Sequence, residues 1–448
     1  ISPNLLPLKF STGDKMKIFG ILFLTIIILF TTCNTTEPPP EDTRKLTLTF
    51  EDASCIEAWI NITTENIQLP ASINIFINDS ISQISILNTK DSLLYIDSLL
   101  PNKTYKLKAA SIDYGVMSSE ISVTTMDTTS HNFTFETWTF GDIGSSVLFD
   151  VAIISEDNIW CVGEINIADT SVNGYTTYNA VHWDGSEWQL KRITVNFRGN
   201  LITPPLEGIF AYSSTDIWFV GSLPIHGNGE NWVIYDLRTT VDPNISVSKA
   251  WGTNSNDIYF VGRNGSIARK NGSQWTRIES GTELHFLDIY GATDPKSGEQ
   301  QILVVGTRDL PLRQGIFSIK ENTATQISSY PIQWGLYSVW FIPNRHYYAI
   351  GDGIYEKVFL SDSLWKNKPL DITSYGTSRI RGNGLNDVFA VGAFGECLHF
   401  NGVTWKSYIN ETGWFNGAFF SVYSKNNLIV AVGYESAQAK IMLGRRIN

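Results

Sequence analysis

Seven times along the chain, a polar turn leads into a short apolar run that closes on glycine. The clearest copies read SEDNIWCVG (155–163), SSTDIWFVG (213–221), NSNDIYFVG (254–262) and GLNDVFAVG (384–392). Weaker copies are GEQQILVVG (298–306), NRHYYAIG (344–351) and KNNLIVAVG (425–433). A turn rich in Asn or Asp before an unbroken apolar run is the pattern of a strand buried on both faces. The closing glycines are Gly163, Gly221, Gly262, Gly306, Gly351, Gly392 and Gly433, about 41 to 45 residues apart except for one longer first interval. A strand-rich repeat of that length predicts a β-propeller, here with seven blades.

Around the third copy, alternation resolves four strands per repeat: 246–253, 257–262, 266–270 and one beginning at Trp275. Asn271-Gly272 is a strong hairpin signal between the last two, and it recurs in HWDGSEW (182–188) and HFNGVTW (399–405). The tryptophan after the turn (Trp188, Trp275, Trp365 or Trp405) is expected to pack between neighbouring blades rather than on a ligand. The glycine ending the second strand is explained by close backbone approach near a central channel. The seventh repeat reads as only three strands, near 419–424, 429–433 and 440–447. The alternating segment NFTFETWTFG (132–141) is expected to supply the fourth, so that N- and C-terminal strands close the ring over 132–448.

Between 45 and 126 the period is two, with Ile56, Ala58, Ile60 and Ile62 on one face of a strand and turns rich in Pro, Asn, Asp and Gly. About seven short strands in this span predict an immunoglobulin-like sandwich. Within it, LPNKTYKLKA (100–109) resembles the LxPxTxYxxxxxA segment of fibronectin type III domains. That resemblance implies that Tyr105 is a tyrosine-corner residue binding backbone near Leu100, and that Trp59 is the buried core tryptophan. The domain is expected to act as a spacer orienting the propeller. The fold class is therefore all-β.

Ahead of both domains, Met16-Lys17 precedes the apolar run IFGILFLTIIILF (18–30), too short to span a bilayer comfortably and suited to a signal peptide over 16–32. The run ends at Thr31-Thr32-Cys33, which resembles a bacterial lipobox and implies cleavage before Cys33 and lipidation there. Residues 1–15 are expected to be translated leader. Residues 33–44, with three consecutive prolines, are expected to be an extended tether. The arrangement of 45–448 resembles largely uncharacterised lipoproteins of Bacteroidota/Ignavibacteria-type bacteria, with one fibronectin type III domain followed by a propeller. DTTSHNFTFETWTFG (127–141) and DVAIISEDNIWCVGE (150–164) carry that resemblance. It implies a lipid-anchored outer-membrane protein on the periplasmic or cell-surface face.

Composition narrows the chemistry. A net charge of −11 without a basic stripe argues against nucleic acid. The four cysteines, Cys33, Cys55, Cys161 and Cys397, lack CxxC spacing, and no disulfide is expected. Six scattered histidines contain no HExxH, and His182 and His399 fall at equivalent third-strand positions that suggest packing. No metal or cofactor is expected.

The longest insertion, Glu164 to Thr177, contains Glu164 and Asp169 and is the leading candidate for a ligand-binding loop. Arg379 and Arg381, on the first strand of the sixth repeat, are candidates to line the channel. The turns GSEW, GSQW and GVTW resemble part of the Asp-box of sialidases but lack its leading Ser and Asp. The expected function is non-catalytic recognition of a glycan, peptide or protein by a monomer. The alternatives are a carbohydrate-active enzyme, glycoside hydrolase or glycosyltransferase-like, using carboxylates or arginines in the channel, and a structural envelope protein.

Overall fold

The computed structural model describes residues 43–368 and 372–447; the expected leader, signal peptide, lipidation site at Cys33 and most of the expected tether lie outside them. Period-two alternation folds the first domain into two antiparallel sheets. One has the strand order Lys45–Ala53, Ala58–Glu65, Asp91–Ile96. The other runs Ser80–Leu87, Ala71–Ile77, Thr104–Ser111, Val116–Met117, with Ile121–Thr124 also paired to Thr104–Ser111. Leu48, Ala58, Ile60, Ile62, Ile73, Ile75 and Leu107 fill the space between them. The Leu100 amide donates to the Tyr105 hydroxyl at 2.8 Å, the contact expected of that tyrosine.

Trp59 is a correction. It is fully buried but outside this core. Successive strand side chains point to opposite faces, so a strand that turns Ala58, Ile60 and Ile62 inward must turn Trp59 outward. There it is covered by the Arg345 guanidinium, 5.4 Å from the ring centroid, which belongs to the second domain.

Beyond residue 132, seven four-stranded antiparallel sheets occur among the described residues. Numbered I to VII, they span 147–191, 208–234, 247–277, 285–327, 336–367, 377–407 and 417–446. The first strand of each packs against that of the next, and that of sheet VII packs against that of sheet I. Sheet VII takes its fourth strand from Phe133–Phe140, antiparallel to Gln438–Arg446. Trp275 touches Trp218 of sheet II and Tyr235 just after its last strand, and Trp405 touches Tyr348 of sheet V, so these tryptophans do bridge neighbours. Trp232 of sheet II plays the same part against Trp160 of sheet I.

The repeat glycines have a backbone reason. A Cβ on Gly392 would lie 2.1 Å from the Gly376 carbonyl oxygen, and one on Gly433 1.9 Å from that of Ala418. Beside that crossing, the first strand of every sheet except II carries a β-bulge. The extra residues are Phe149, Ser248, Leu287, Tyr337, Ser378 and Phe420. A bulge re-aims side chains, and these six end up around one mouth of the channel.

The insertion in sheet I is not an irregular loop. It continues the ladder, with Asn158–Ala168 pairing with Tyr175–Trp183 and only 169–174 left as a turn.

Candidate functional site

The channel is built in three tiers by the first strands. The mouth lies where second strands pass to third and fourth strands pass to the next sheet; this is the upper side. Phe149, Glu207, Ser248, Leu287, Tyr337, Ser378 and Phe420 ring a cavity of about 440 Å³, with Lys249, Arg263 and Arg379 reaching into its lining. Phe149 and Phe420 stack with ring centroids 6.0 Å apart. Arg263 and Glu207 pair across the rim at 3.1 Å.

One residue further along each strand is a polar tier. Lys249 donates to Asp150 at 2.8 Å and to the Glu207 carbonyl at 2.7 Å. Ser421 donates to the other Asp150 oxygen at 2.6 Å. Asp288 accepts both outer nitrogens of Arg381, at 2.9 and 2.7 Å, the Ser338 hydroxyl at 2.5 Å, and Arg379 Nη1. Burial alone would raise both carboxyls. The facing cations win: Lys249 and Arg379 hold Asp150 below its ordinary value, and Arg379 and Arg381 hold Asp288 at about 2. Burial lowers Lys249 to about 8 despite Asp150.

Below this tier, Phe210, Trp251, Tyr290, Trp340 and Tyr423 line a second cavity of about 240 Å³, and Arg381 lies over the Tyr290 ring at 5.4 Å.

The four ligand-binding candidates divide into two pairs. Arg379 and Arg381 are brought together on Asp288. Glu164 and Asp169 line neither cavity. Glu164 is exposed and, among the described residues, accepts only a long bond from Asn166, at 3.4 Å. Asp169 accepts from the Ser171 amide and the Thr176 hydroxyl, which lower its pKa; these bonds shape its own turn.

Reading the sequence missed Asp150, Lys249 and Asp288. A signal existed: Asp150, Lys249 and Arg379 each stand 13 residues before a repeat glycine. Aligning the repeats on those glycines puts charge in one column. The longer ladder of sheet IV breaks that offset for Asp288.

Several large apolar side chains meet solvent on the upper side. Leu310 and Phe394 sit between second and third strands, and Tyr330, Trp334 and Trp414 on passages to the next sheet, all exposed. Phe394 and Trp414 stack at 5.3 Å, with Tyr375 against the Phe394 edge. Among the described residues, no cluster of three His, Cys, Asp or Glu could hold a metal.

No protein-family model matches the chain, and no curated protein matches its sequence. Solved structures do resemble it. One, YCF48 bound to D1 peptide, aligns over 72% of this chain and 99% of that one, at 15% identity and a TM-score of 0.51. YCF48 from Cyanidioschyzon merolae covers 69% and 98%, at 12% identity and 0.49. The WD40 β-propeller domain of Doa1 covers 70% and 97%, at 10% identity and 0.47. At such identities the first likeness speaks to fold alone: most of this chain is an all-β structure of the propeller type.

Proposed function

We propose that the chain is a lipid-anchored, extracytoplasmic binding protein whose propeller presents its upper face to a peptide or protein ligand. The observation that carries this reading is the gathering of Leu310, Tyr330, Trp334, Phe394 and Trp414 on one face, around an open apolar mouth. Exposed apolar patches rimmed by polar residues mark interaction surfaces. A similar structure was solved bound to a peptide, which supports a peptide as the ligand class. Seven consecutive sheets and the pairing of Phe133–Phe140 with Gln438–Arg446 support a closed seven-bladed ring. The strand order of 45–124 and the Tyr105 contact support a fibronectin type III-like first domain.

The carbohydrate-active reading is the weaker one. A general acid needs a carboxyl held protonated by its surroundings. Asp150 and Asp288 are both held low by cations.

The test is a screen of the full chain, solubilised in detergent, against peptide and glycan arrays, with Trp414→Ala and Phe394→Ala in parallel. Peptide capture that weakens at least tenfold in either variant is the expected result. Capture of a glycan followed by its turnover would overturn the reading.

A further inference from the structure

The polar tier is unbalanced in charge. Its charges form two bonded groups: Lys249 with Asp150, which balance, and Arg379 and Arg381 with Asp288 alone, which carry one positive charge in excess. The nearby Glu207 carboxylate is held by Arg263 and neutralises nothing deeper. The imbalance is concentrated on Arg379. Arg381 spends both outer nitrogens on Asp288, and Lys249 has three acceptors. Arg379 spends only Nη1. Its side chain is 4% exposed and its Nε is sealed without a partner. Its Nη2 has no hydrogen-bond partner among the described residues and is not among the sealed atoms. Of the two cavities, Arg379 lines only the upper one. The guanidinium therefore offers its remaining corner to the mouth, at the foot of an apolar wall formed by Phe149, Leu287, Tyr337 and Phe420.

Resting on the peptide-binding reading above, we propose that the mouth is a carboxylate pocket. It takes a peptide carboxylate on Arg379 Nη2 while the adjoining apolar side chain lies against Phe149 and Phe420. A singly charged anion restores neutrality to the tier, and a charge-assisted hydrogen bond is the strong kind. A carboxylate without an apolar neighbour would leave the wall bare, and an apolar group without a carboxylate would leave the guanidinium unpaired.

The experiment compares three probes by titration calorimetry on the full chain in detergent: N-acetylphenylalanine, its C-terminal amide, and an amidated peptide with one internal Glu beside Phe. The acid should bind at least tenfold more tightly than the amide. Strength in the Glu peptide would assign the site to acidic side chains, and weakness there to chain ends; either supports a carboxylate pocket. Arg379→Gln should erase the difference between acid and amide. In case that variant folds poorly, Ser378→Glu leaves the tier intact and supplies a carboxylate from within, so it should abolish acid binding. Phe420→Ala should weaken acid and amide alike. Equal binding of acid and amide would overturn the carboxylate pocket while leaving peptide binding standing. No binding of any probe at about 1 mM, a threshold of about −4 kcal/mol, would overturn the pocket outright.

Discussion

Asp288 ties the first strands of sheets IV, V and VI together, because two guanidinium groups and a serine hydroxyl converge on it. Removing its charge leaves buried cations unpaired, so Asp288→Asn should cost about 3–5 kcal/mol at neutral pH. The pH dependence has a definite sign. A carboxyl held at about 2 in the folded protein, below its ordinary value, contributes stability that is fully present above about pH 4. That contribution is lost as pH falls through about 2. Urea unfolding at pH 7 and pH 3 should show a steeper loss in the native chain than in the variant. Equal losses would mean that Asp288 is not the group responsible. In the sequence Asp288 was one acid among 44 Asp and Glu; only the shared strand position gives it a role. The repeat glycines were legible because a glycine after an apolar strand has few explanations. The crossing beside Gly392, with Gly376 oxygen and Thr377 Cα in the way, is one of them.

At the scale of the strand pair, a second device recurs. A polar residue opening the second strand binds a third-strand side chain that stacks on the aromatic two positions on. Asn158 with His182 on Trp160, Asp216 with His226 on Trp218, and Asp387 with His399 on Phe389 share this form. In sheet III Arg269 takes the histidine's place, on Asp257 and over Tyr259. In sheet V the polarity inverts, with His346 opening the strand and Glu356 answering it. The opening residue and the aromatic were visible as the repeat motif. In the sequence the equivalence was drawn only between His182 and His399; His226 was missed, and Arg269 and Glu356 hide the equivalence in sheets III and V. The contribution of each copy should follow burial. His399 is sealed and also touches His131 at 2.8 Å, whereas His226 is about a third exposed. His399→Ala should therefore cost about 2–3 kcal/mol, and His226→Ala about 1 kcal/mol or less. Denaturant midpoints of the two variants decide this, and a larger loss at His226 would contradict the ranking.

Across the whole molecule, the two domains meet on the lower side, opposite the mouth. Arg345, between the first two strands of sheet V, bonds Asp52 at 2.9 Å, reaches Glu51 at 3.7 Å and covers Trp59. Phe359 meets Tyr95 edge-on, and Cys55 Sγ lies 3.8 Å from the Asn401 carbonyl, so sheet VI is engaged as well. The strap between the domains is pinned too, with Asn386 donating to the Asp127 carbonyl at 2.8 Å. A sequence reading treats each domain by its own periodicity, and this seam has none. Its signal was Trp59, misassigned to a core that alternation had already filled with Ala58, Ile60 and Ile62. The seam gives the first domain a direction: it is fastened below, on the side opposite the mouth. Arg345 is 4% exposed at the centre of the seam. Arg345→Ala strips the cation from Trp59 and leaves Glu51 and Asp52 side by side, with Lys296 alone to answer them. The native chain should unfold in one calorimetric transition, and the variant in two, with a larger maximum dimension in small-angle scattering. Lys296→Ala is the control: its ammonium is half exposed, and a pair of that kind contributes about 1 kcal/mol or less. If Arg345→Ala keeps one transition and the native dimension, the domains are not coupled through this seam, and the orientation of the upper face must come from the strap at Asp127 alone.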